Sequence, residues 1–255
     1  MVDRIYLILF FIVGTFMGSF YHVVATRVSN GKSIVSPRSH CDNCGHVLKW
    51  YELIPIISFI IQGGKCSKCK VKLPLSYLLM EVCTGMLFAV SYHVFDFSYD
   101  LIIALIFISS LITIIISDIE YMIILDEVLI FASLGIIITM LFGYGIKETC
   151  YHILYGLLSF GTMLLIKKLG DMMFKQESLG GGDIKLMFLI GLVLGFGMSI
   201  CNIFFATFIA FPVALFLLVF KKDNIIPFGP FLSMAAIILF ISKIDLDVII
   251  NFILY

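Results

Sequence analysis

Eight long apolar stretches constrain this chain more than any other feature of its sequence. They cover residues 5–26, 73–95, 101–117, 121–143, 150–166, 184–199, 200–220 and 225–242. Each is close to the roughly 20 residues that a helix needs to cross the hydrocarbon of a bilayer. Helices are expected because lipid offers no hydrogen-bond partner to an open backbone, and the alternating pattern of membrane strands is missing.

The composition excludes the main soluble classes. Of the 255 residues, 61% are hydrophobic and only 13% are charged, whereas about a quarter of a soluble domain is charged. The 17 basic and 17 acidic residues balance, so no net charge attracts nucleic acid. The sequence therefore predicts an all-α polytopic membrane protein with about eight transmembrane helices, surrounded by the lipid bilayer.

The distribution of basic residues predicts the orientation of the chain, because Lys and Arg favour cytoplasmic loops. If the N-terminus lies outside, 14 of the 17 basic residues fall in inner loops and 3 fall outside. We therefore expect both termini on the outer side. Residues 1–26 then form the first transmembrane helix, 27–72 a large cytoplasmic loop and 73–255 a seven-helix domain.

The cytoplasmic loop carries two CxxC pairs. Cys41 and Cys44 form the first pair, and 21 residues separate it from the second, Cys66 and Cys69. Cysteines two residues apart can direct both thiolates at one ion, and two such turns complete a tetrahedral zinc site. Four thiolates leave the metal no open position, so the predicted zinc is structural and the loop a small zinc-binding domain.

Two other interpretations of the loop stay open. The four cysteines could form two disulfides, although thiols remain reduced in the cytoplasm. Alternatively His40 or His46, which flank the first pair, could replace one cysteine ligand. For both histidines a solvated position in the loop is the simpler interpretation.

Acidic residues lie at the ends of two predicted spans. The third stretch ends directly in Asp118 and Glu120, and Asp183 opens the sixth. Because the third span runs inwards and the sixth starts from the cytoplasm, Asp118 and Asp183 are expected at the same depth on the same side. Glycines at 180–182 would permit unusual backbone angles and the close approach of a substrate.

Aspartic proteases use two facing carboxyl groups for catalysis. Close together they cannot both ionise, so they share one proton. One then acts as a general base on water while the other protonates the carbonyl or the leaving amine. Three other acids compete with Asp118 for this role: Glu120, Asp126 and Glu127. Positions two apart on a helix face nearly opposite sides, so Asp118 and Glu120 cannot both face Asp183.

Together these motifs resemble the bacterial type IV prepilin peptidases, also called prepilin leader peptidase/N-methyltransferases, over most of the chain and in the same order. Residues 180–186 are similar to the GxGD motif of that family and its Lys-Leu continuation, and the paired CxxC motifs to its zinc loop. Further similar stretches are Gly18–Phe20 with Val23 and Arg27, Ile54–Ser58, Pro74–Gly85 and Pro227–Phe231.

The resemblance implies an inner-membrane aspartic endopeptidase, with residues 73–255 as its protease domain. It would remove the leader peptide of type IV prepilins or pseudopilins at the cytoplasmic face, in pilus assembly or protein secretion. The implied catalytic residues are Asp118 and Asp183, supported by Gly180, Gly182 and Lys185. The resemblance also implies N-methylation of the new terminus with S-adenosylmethionine, for which the sequence shows no glycine-rich binding signature.

Two other classes of function remain open on the sequence alone. An ion- or proton-coupled transporter would carry its acids at the midplane of inverted repeats. Here the acids lie at the predicted membrane edge and no repeat is visible. A membrane scaffold that docks partners through its zinc loop would leave the acids without a role.

Overall fold

The computed structural model describes residues 2–175, 177–220, 226–244, 246 and 248. These residues form helices joined by turns and irregular loops. The α-helices are α1 (Val2–Ser29), α2 (Ile57–Ile61), α3 (Leu75–Phe95), α4 (Tyr99–Tyr121), α5 (Asp126–Gly143), α6 (Ile146–Phe174), α7 (Gly181–Leu194), α8 (Phe196–Phe220) and α9 (Gly229–Ser242), and a short 3-10 helix covers Trp50–Leu53.

Every predicted apolar stretch corresponds to a helix, which confirms the all-helical membrane fold class. Within the described part of the chain, six helices are long and apolar enough to cross a membrane: α1, α3, α4, α5, α6 and α8. Helices α7 and α9 have 14 residues each, which corresponds to about 21 Å of helix. Two of the eight stretches are therefore shorter than a full span, and both of these helices begin at the acids described below.

The boundary between α7 and α8 falls earlier than the hydropathy pattern predicts. Gly195 has a φ of +81° and donates its N–H to the Gly191 carbonyl at 3.0 Å. Glycine adopts this conformation without the steric cost that a side chain would add, so α7 ends at Leu194. The hydropathy pattern cannot show this break because the residues on both sides of Gly195 are apolar.

The chain folds as two compact units, residues 1–97 and 98–255. The first unit contains α1, the loop of residues 30–74 with α2 inside it, and α3, and the second contains α4 to α9. In the second unit α4 is the most enclosed of the candidate spans. Its large side chains Phe107, Ile108, Leu111 and Ile114 have no exposed surface. This burial places the C-terminal end of α4, which carries Asp118, among the other helices.

Small residues allow α1 and α3 to pack closely in the first unit. A Cβ atom at Gly14 would lie 2.8 Å from the Cα of Gly85, and one at Gly85 would lie 2.7 Å from Cγ2 of Thr15. Helix pairs in membranes use small residues in this way because it brings the two backbones together. The rings of Phe10 and Tyr92 stack beside this crossing, with centroids 4.9 Å apart.

The packing of α1 on α3 can be tested with alanine. Gly14→Ala and Gly85→Ala should each destabilise the protein by about 1–3 kcal/mol, because the added methyl group overfills the crossing. Gly161→Ala in α6 is the matched control, since a Cβ there meets no atom within 4 Å. Thermal unfolding of the purified protein in detergent measures the difference. Equal stability of all three variants would contradict the close approach of the two helices.

Candidate active site and metal centre

Asp118 lies buried in the last turn of α4, with 5% of its surface exposed. The helix ends because Met122 adopts a left-handed conformation and donates its N–H to the Asp118 carbonyl at 2.9 Å. The carboxylate faces the first turn of α9, where the Gly229 N–H donates to it. Asp118 is therefore a buried carboxylate held by backbone at the junction of two helices.

Asp183 lies in the first turn of α7, with 7% of its surface exposed. The Gly180 N–H donates to its carboxylate, which is close enough to the Asp118 carboxyl to interact electrostatically. Its Oδ1 atom is buried and has no hydrogen-bond partner among the described residues. Buried polar atoms are almost always paired, so this oxygen is suited to accept a hydrogen bond from water or substrate.

Two glycines near these acids make close contacts that leave no room for a side chain. A Cβ atom at Gly229 would lie 2.6 Å from Oδ2 of Asp118, and one at Gly182 would lie 2.7 Å from Cβ of Ile124. The expectation of unusual backbone angles at residues 180–182 is wrong, because none of the three has a positive φ. Lack of a side chain, rather than conformational freedom, explains the glycine at 182.

The other acids lie outside this pair. Glu120 is exposed although Asp118, two residues earlier, is buried, as the helix geometry predicts. Asp126 opens α5 and accepts two hydrogen bonds from Lys185 Nζ, at 2.6 and 2.8 Å. Both side chains of this ion pair are 52% exposed. Lys185 therefore lies one turn or less from Asp183 along α7 but is bound by Asp126.

Sequence reasoning did not assign a role to Gly229 or Ile124. The stretch Pro227–Phe231 stood out only through its resemblance to a family segment. No pattern in it indicates that the Gly229 N–H would meet Asp118, since 110 residues separate the two along the chain and only the packing of α9 on α4 joins them. Ile124 lies in the turn between α4 and α5, where it contacts Gly182.

The four loop cysteines form one group, here called the four-cysteine cluster. Its sulfur atoms all lie within 4.8 Å of one another. Cys41 and Cys69 are separated by 3.8 Å between sulfurs, and Cys44 and Cys66 by 3.9 Å. Four sulfurs bound tetrahedrally to zinc at about 2.3 Å would be about 3.8 Å apart. The cluster can therefore hold zinc, and its cysteines are free thiols rather than disulfides.

The two cysteine turns repeat one backbone pattern. In each turn the first cysteine donates its N–H to the carbonyl five residues later at 2.9 Å. The residue after the second cysteine, Gly45 or Lys70, has a left-handed φ of 67° or 59°. N–H groups of Val71 and the Asn43 side chain donate to Cys69 and lower its pKa to about 6. This favours the thiolate form that binds metal.

The loop histidines lie outside the four-cysteine cluster. The ring of His40 lies 2.9 Å from a backbone carbonyl, and Nε2 of His46 lies 3.1 Å from Oε2 of Glu52. The Glu52 side chain is only 2% exposed. It also accepts hydrogen bonds from the Lys49 N–H, at 2.7 Å, and from the Ser67 hydroxyl, and these lower its pKa. Glu52, which the sequence did not single out, is thus a buried anion that anchors the loop.

Comparison with known proteins adds an independent observation. Residues 12–95 match the family model described as Bacterial Peptidase A24 N-terminal domain, and residues 105–215 match the Type IV leader peptidase family. Three relatives are each named prepilin leader peptidase/N-methyltransferase. The chain is 36% identical over 199 residues to that of Bacillus subtilis (strain 168), covering 78% of both chains. No solved structure gives a significant match.

The other two relatives differ in length. Identity to the Vibrio cholerae protein is 28% over 259 residues, covering 94% of this chain and 98% of the relative. Identity to the Myxococcus xanthus protein is 34% over 192 residues, covering 74% of this chain but only 56% of the relative. These matches place the chain in a class of protein, the polytopic membrane peptidases of the type IV leader peptidase family. The chain belongs to the prepilin leader peptidase/N-methyltransferase family.

The four-cysteine cluster generates a prediction about metal content. The purified protein should contain about one zinc ion per chain, and replacing Cys41 or Cys66 with serine should remove it and loosen the loop, because a structural metal supplies the folding energy of such a module. Cys83→Ser in α3 is the matched control, since that cysteine lies outside the cluster. Elemental analysis gives the zinc content. A metal-free wild type, or a Cys41–Cys44 disulfide detected by mass spectrometry, would contradict the assignment.

Proposed function

We propose that this protein cleaves the leader peptide of type IV prepilins or pseudopilins at the cytoplasmic face of the bacterial inner membrane, with Asp118 and Asp183 as its catalytic pair. One observation carries the assignment of the site. Two buried carboxyl groups, from the end of α4 and the start of α7, meet where one of their oxygens lacks a partner among the described residues. The names of the relatives supply the reaction and the class of substrate.

The chemistry follows from the proximity of the two acids. Close carboxyl groups share one proton, because two adjacent like charges repel each other. The ionised carboxyl takes a proton from a water molecule, whose oxygen attacks the scissile carbonyl, while the protonated carboxyl donates to the carbonyl oxygen. Collapse of the tetrahedral intermediate transfers a proton to the leaving amine. The pair acts as a unit, so no single acid is assigned as the base.

Backbone groups orient this pair. The Gly229 N–H fixes Asp118 and the Gly180 N–H fixes Asp183. Hydrogen bonds from N–H groups hold a carboxylate without adding a second titratable side chain to the site. Lys185 supports the rim of the site through its ion pair with Asp126, and is not a member of the pair.

We propose a second activity for the same chain, the N-methylation of the new terminus with S-adenosylmethionine. The shared name of the relatives supports it. The zinc of the four-cysteine cluster is structural in this proposal, since four thiolates complete its coordination.

We also propose that both termini face outwards, on the charge distribution of the sequence. Of the inner-loop residues in that count, Lys221 and Lys222 lie outside the described residues, as does the end of the chain. We also propose that the chain divides into a first helix, a zinc loop and a protease domain that begins at residue 73. The compact units of the structure divide the chain at a different place, because α3 belongs to the same unit as α1.

The catalytic pair can be tested by removing its titrating protons. Asp118→Asn and Asp183→Asn should each lower the rate of prepilin cleavage by several orders of magnitude, and the double variant little further, because the two acids act as a unit. Glu120→Gln is the matched control on the same helix. Cleavage of a prepilin in membranes, at matched expression, measures the effect. A dead Glu120→Gln beside an active Asp118→Asn would move the pair to Glu120.

The glycine triplet offers a second test with neighbouring residues. Gly182→Ala should lower the cleavage rate at least about tenfold, because the added methyl group must displace Ile124 beside Asp118. A tenfold loss of rate corresponds to about 1.4 kcal/mol in the transition state. Gly181→Ala should leave the rate near that of the wild type, since a Cβ there meets no atom within 4 Å. The same prepilin assay compares them. Equal rates for the two variants would show that the approach of Gly182 to Ile124 does not matter for catalysis.

A further inference from the structure

The loop of residues 30–74 contains an apolar stretch that metal binding does not explain, here called the apolar loop segment (residues 50–61). Six of its large side chains expose between 41% and 79% of their surface: Trp50, Tyr51, Leu53, Ile57, Ile60 and Ile61. Exposed apolar side chains that are grouped in this way mark surfaces that contact a membrane or a partner. The segment therefore lacks a cover within its own unit.

Two hydrogen bonds set the level of this segment along α3. The Ile56 N–H donates to the carboxylate of Glu81 at 2.7 Å. Glu81 comes six residues after Leu75, the first residue of α3, which corresponds to about 9 Å along the helix. Beyond α2, the Leu73 N–H donates to the carbonyl of Gly64 at 2.8 Å, just before α3 begins. The chain between these two anchors includes α2, which therefore lies level with the first two turns of α3.

Those first turns belong to a membrane span. Helix α3 is one of the candidate spans, and its 21 residues correspond to about 31 Å of helix, against about 30 Å of hydrocarbon. At this level α3 itself exposes the apolar side chains of Leu75 and Leu79. Helices that lie in a membrane interface bury their apolar face about 5–10 Å into the boundary between headgroups and acyl chains. The anchor at Glu81 holds the apolar loop segment at a depth of this kind.

We propose that the apolar loop segment inserts into the lipid leaflet on its own side of the membrane, with the exposed isoleucines of α2 among the acyl chains and Trp50 at the level of the headgroups. Tryptophan favours that level because its ring is apolar and its N–H is polar. The backbone of the segment suits lipid, where each polar group needs a partner within the protein. The N–H groups of residues 56–58, 60 and 62–64 all donate to acceptors in the same unit.

The charge beside the segment favours lipid over a second copy of the chain. Residues 65–72 contain four lysines and no acid, and all four lysines are exposed: Lys65, Lys68, Lys70 and Lys72. Basic side chains at a membrane surface are attracted to anionic headgroups. A symmetric contact between two copies would instead bring the same positive surfaces together, and like charges repel. The partner that fits is therefore a bilayer that contains anionic lipid.

The wild-type protein carries its own probe, because Trp50 is the only tryptophan in the sequence. Its fluorescence is measured on full-length protein in bilayer nanodiscs, with iodide in the water or with lipids brominated near the headgroup end of the acyl chain. We expect quenching by the brominated lipids and at least about threefold protection from iodide relative to free tryptophan, since the ring lies at the interface. Quenching by iodide alone would overturn the proposal. Protection from both quenchers would also overturn it, because protein would then cover the segment.

Val35 provides a control position in the same loop but at another level. A Cβ atom at Gly18 would lie 3.0 Å from Cα of Glu81, so Gly18 marks the level of the anchor on α1. Arg27 lies nine residues further along α1, about 14 Å closer to the loop. Its side chain donates to the carbonyls of the two residues that precede Val35. Val35 is 82% exposed and is expected in water.

A matched pair of variants compares the two positions. In a Trp50→Phe background, Ile60→Trp and Val35→Trp each place the single indole at an exposed position. Brominated lipids should quench the indole at position 60 at least about threefold more strongly than that at position 35, and iodide should quench them in the reverse order. The same quenching at both positions would overturn the proposal. Thermal unfolding identifies a variant that has lost its fold, and the wild-type measurement then decides, because it needs no substitution.

The role of the lysines is tested through the composition of the bilayer. Nanodiscs of phosphatidylglycerol, which is anionic, are compared with nanodiscs of zwitterionic phosphatidylcholine that has the same acyl chains. Quenching of wild-type Trp50 by brominated lipid should be at least about twofold stronger in the anionic bilayer, because the attraction of the lysines draws the loop towards the headgroups. Equal quenching in the two bilayers would overturn the role of the lysines.

Discussion

The meeting of helix ends around Asp118 is the arrangement on which the proposed peptidase site depends. Helix α4 ends there, α9 begins there with the Gly229 N–H directed at the carboxylate, and the turn after α4 presents Ile124 to Gly182 at the start of α7. Free N–H groups occur at helix starts, where no intrahelical partner exists. The N–H groups that bind the two acids therefore come from the starts of α7 and α9. The site depends on these two short helices beginning where they do.

The loop of residues 30–74 has too little apolar burial to hold itself together. Of residues 30–74, only Glu52, Pro55 and Cys66 are buried. Small modules of this kind need a metal or another crosslink in place of a hydrophobic core. In this loop the four-cysteine cluster joins the two cysteine turns, Glu52 joins the segment after the first turn to Ser67 in the second, and Glu81 ties Ile56 to α3.

Among the residues that the structure describes, four buried acids differ in how their oxygens are satisfied. Glu52 and Glu81 accept hydrogen bonds from backbone N–H groups or neighbouring side chains, and both hold the chain in place. Asp118 and Asp183 each have one backbone donor, and Asp183 keeps an oxygen without a partner among the described residues. A carboxylate whose oxygens all accept hydrogen bonds stabilises a loop. A carboxylate that keeps an oxygen available, and that lies beside a second acid, can activate water.

The sequence by itself predicted the helices, the four candidate metal ligands and the candidate pair Asp118 and Asp183, because hydropathy, CxxC spacing and helix periodicity are local patterns. Local patterns also predict that Glu120 does not share the face of Asp118, and the structure has Asp118 buried and Glu120 exposed. Only the tertiary structure decided that α7 ends at Gly195, that Gly182 is required by Ile124 rather than by its own backbone angles, and that Gly229 contacts Asp118. It also decided that His46 binds Glu52 instead of metal. These contacts depend on packing between distant elements or on turn geometry. A local pattern along the chain cannot predict them, because it does not show which atoms of distant residues come into contact.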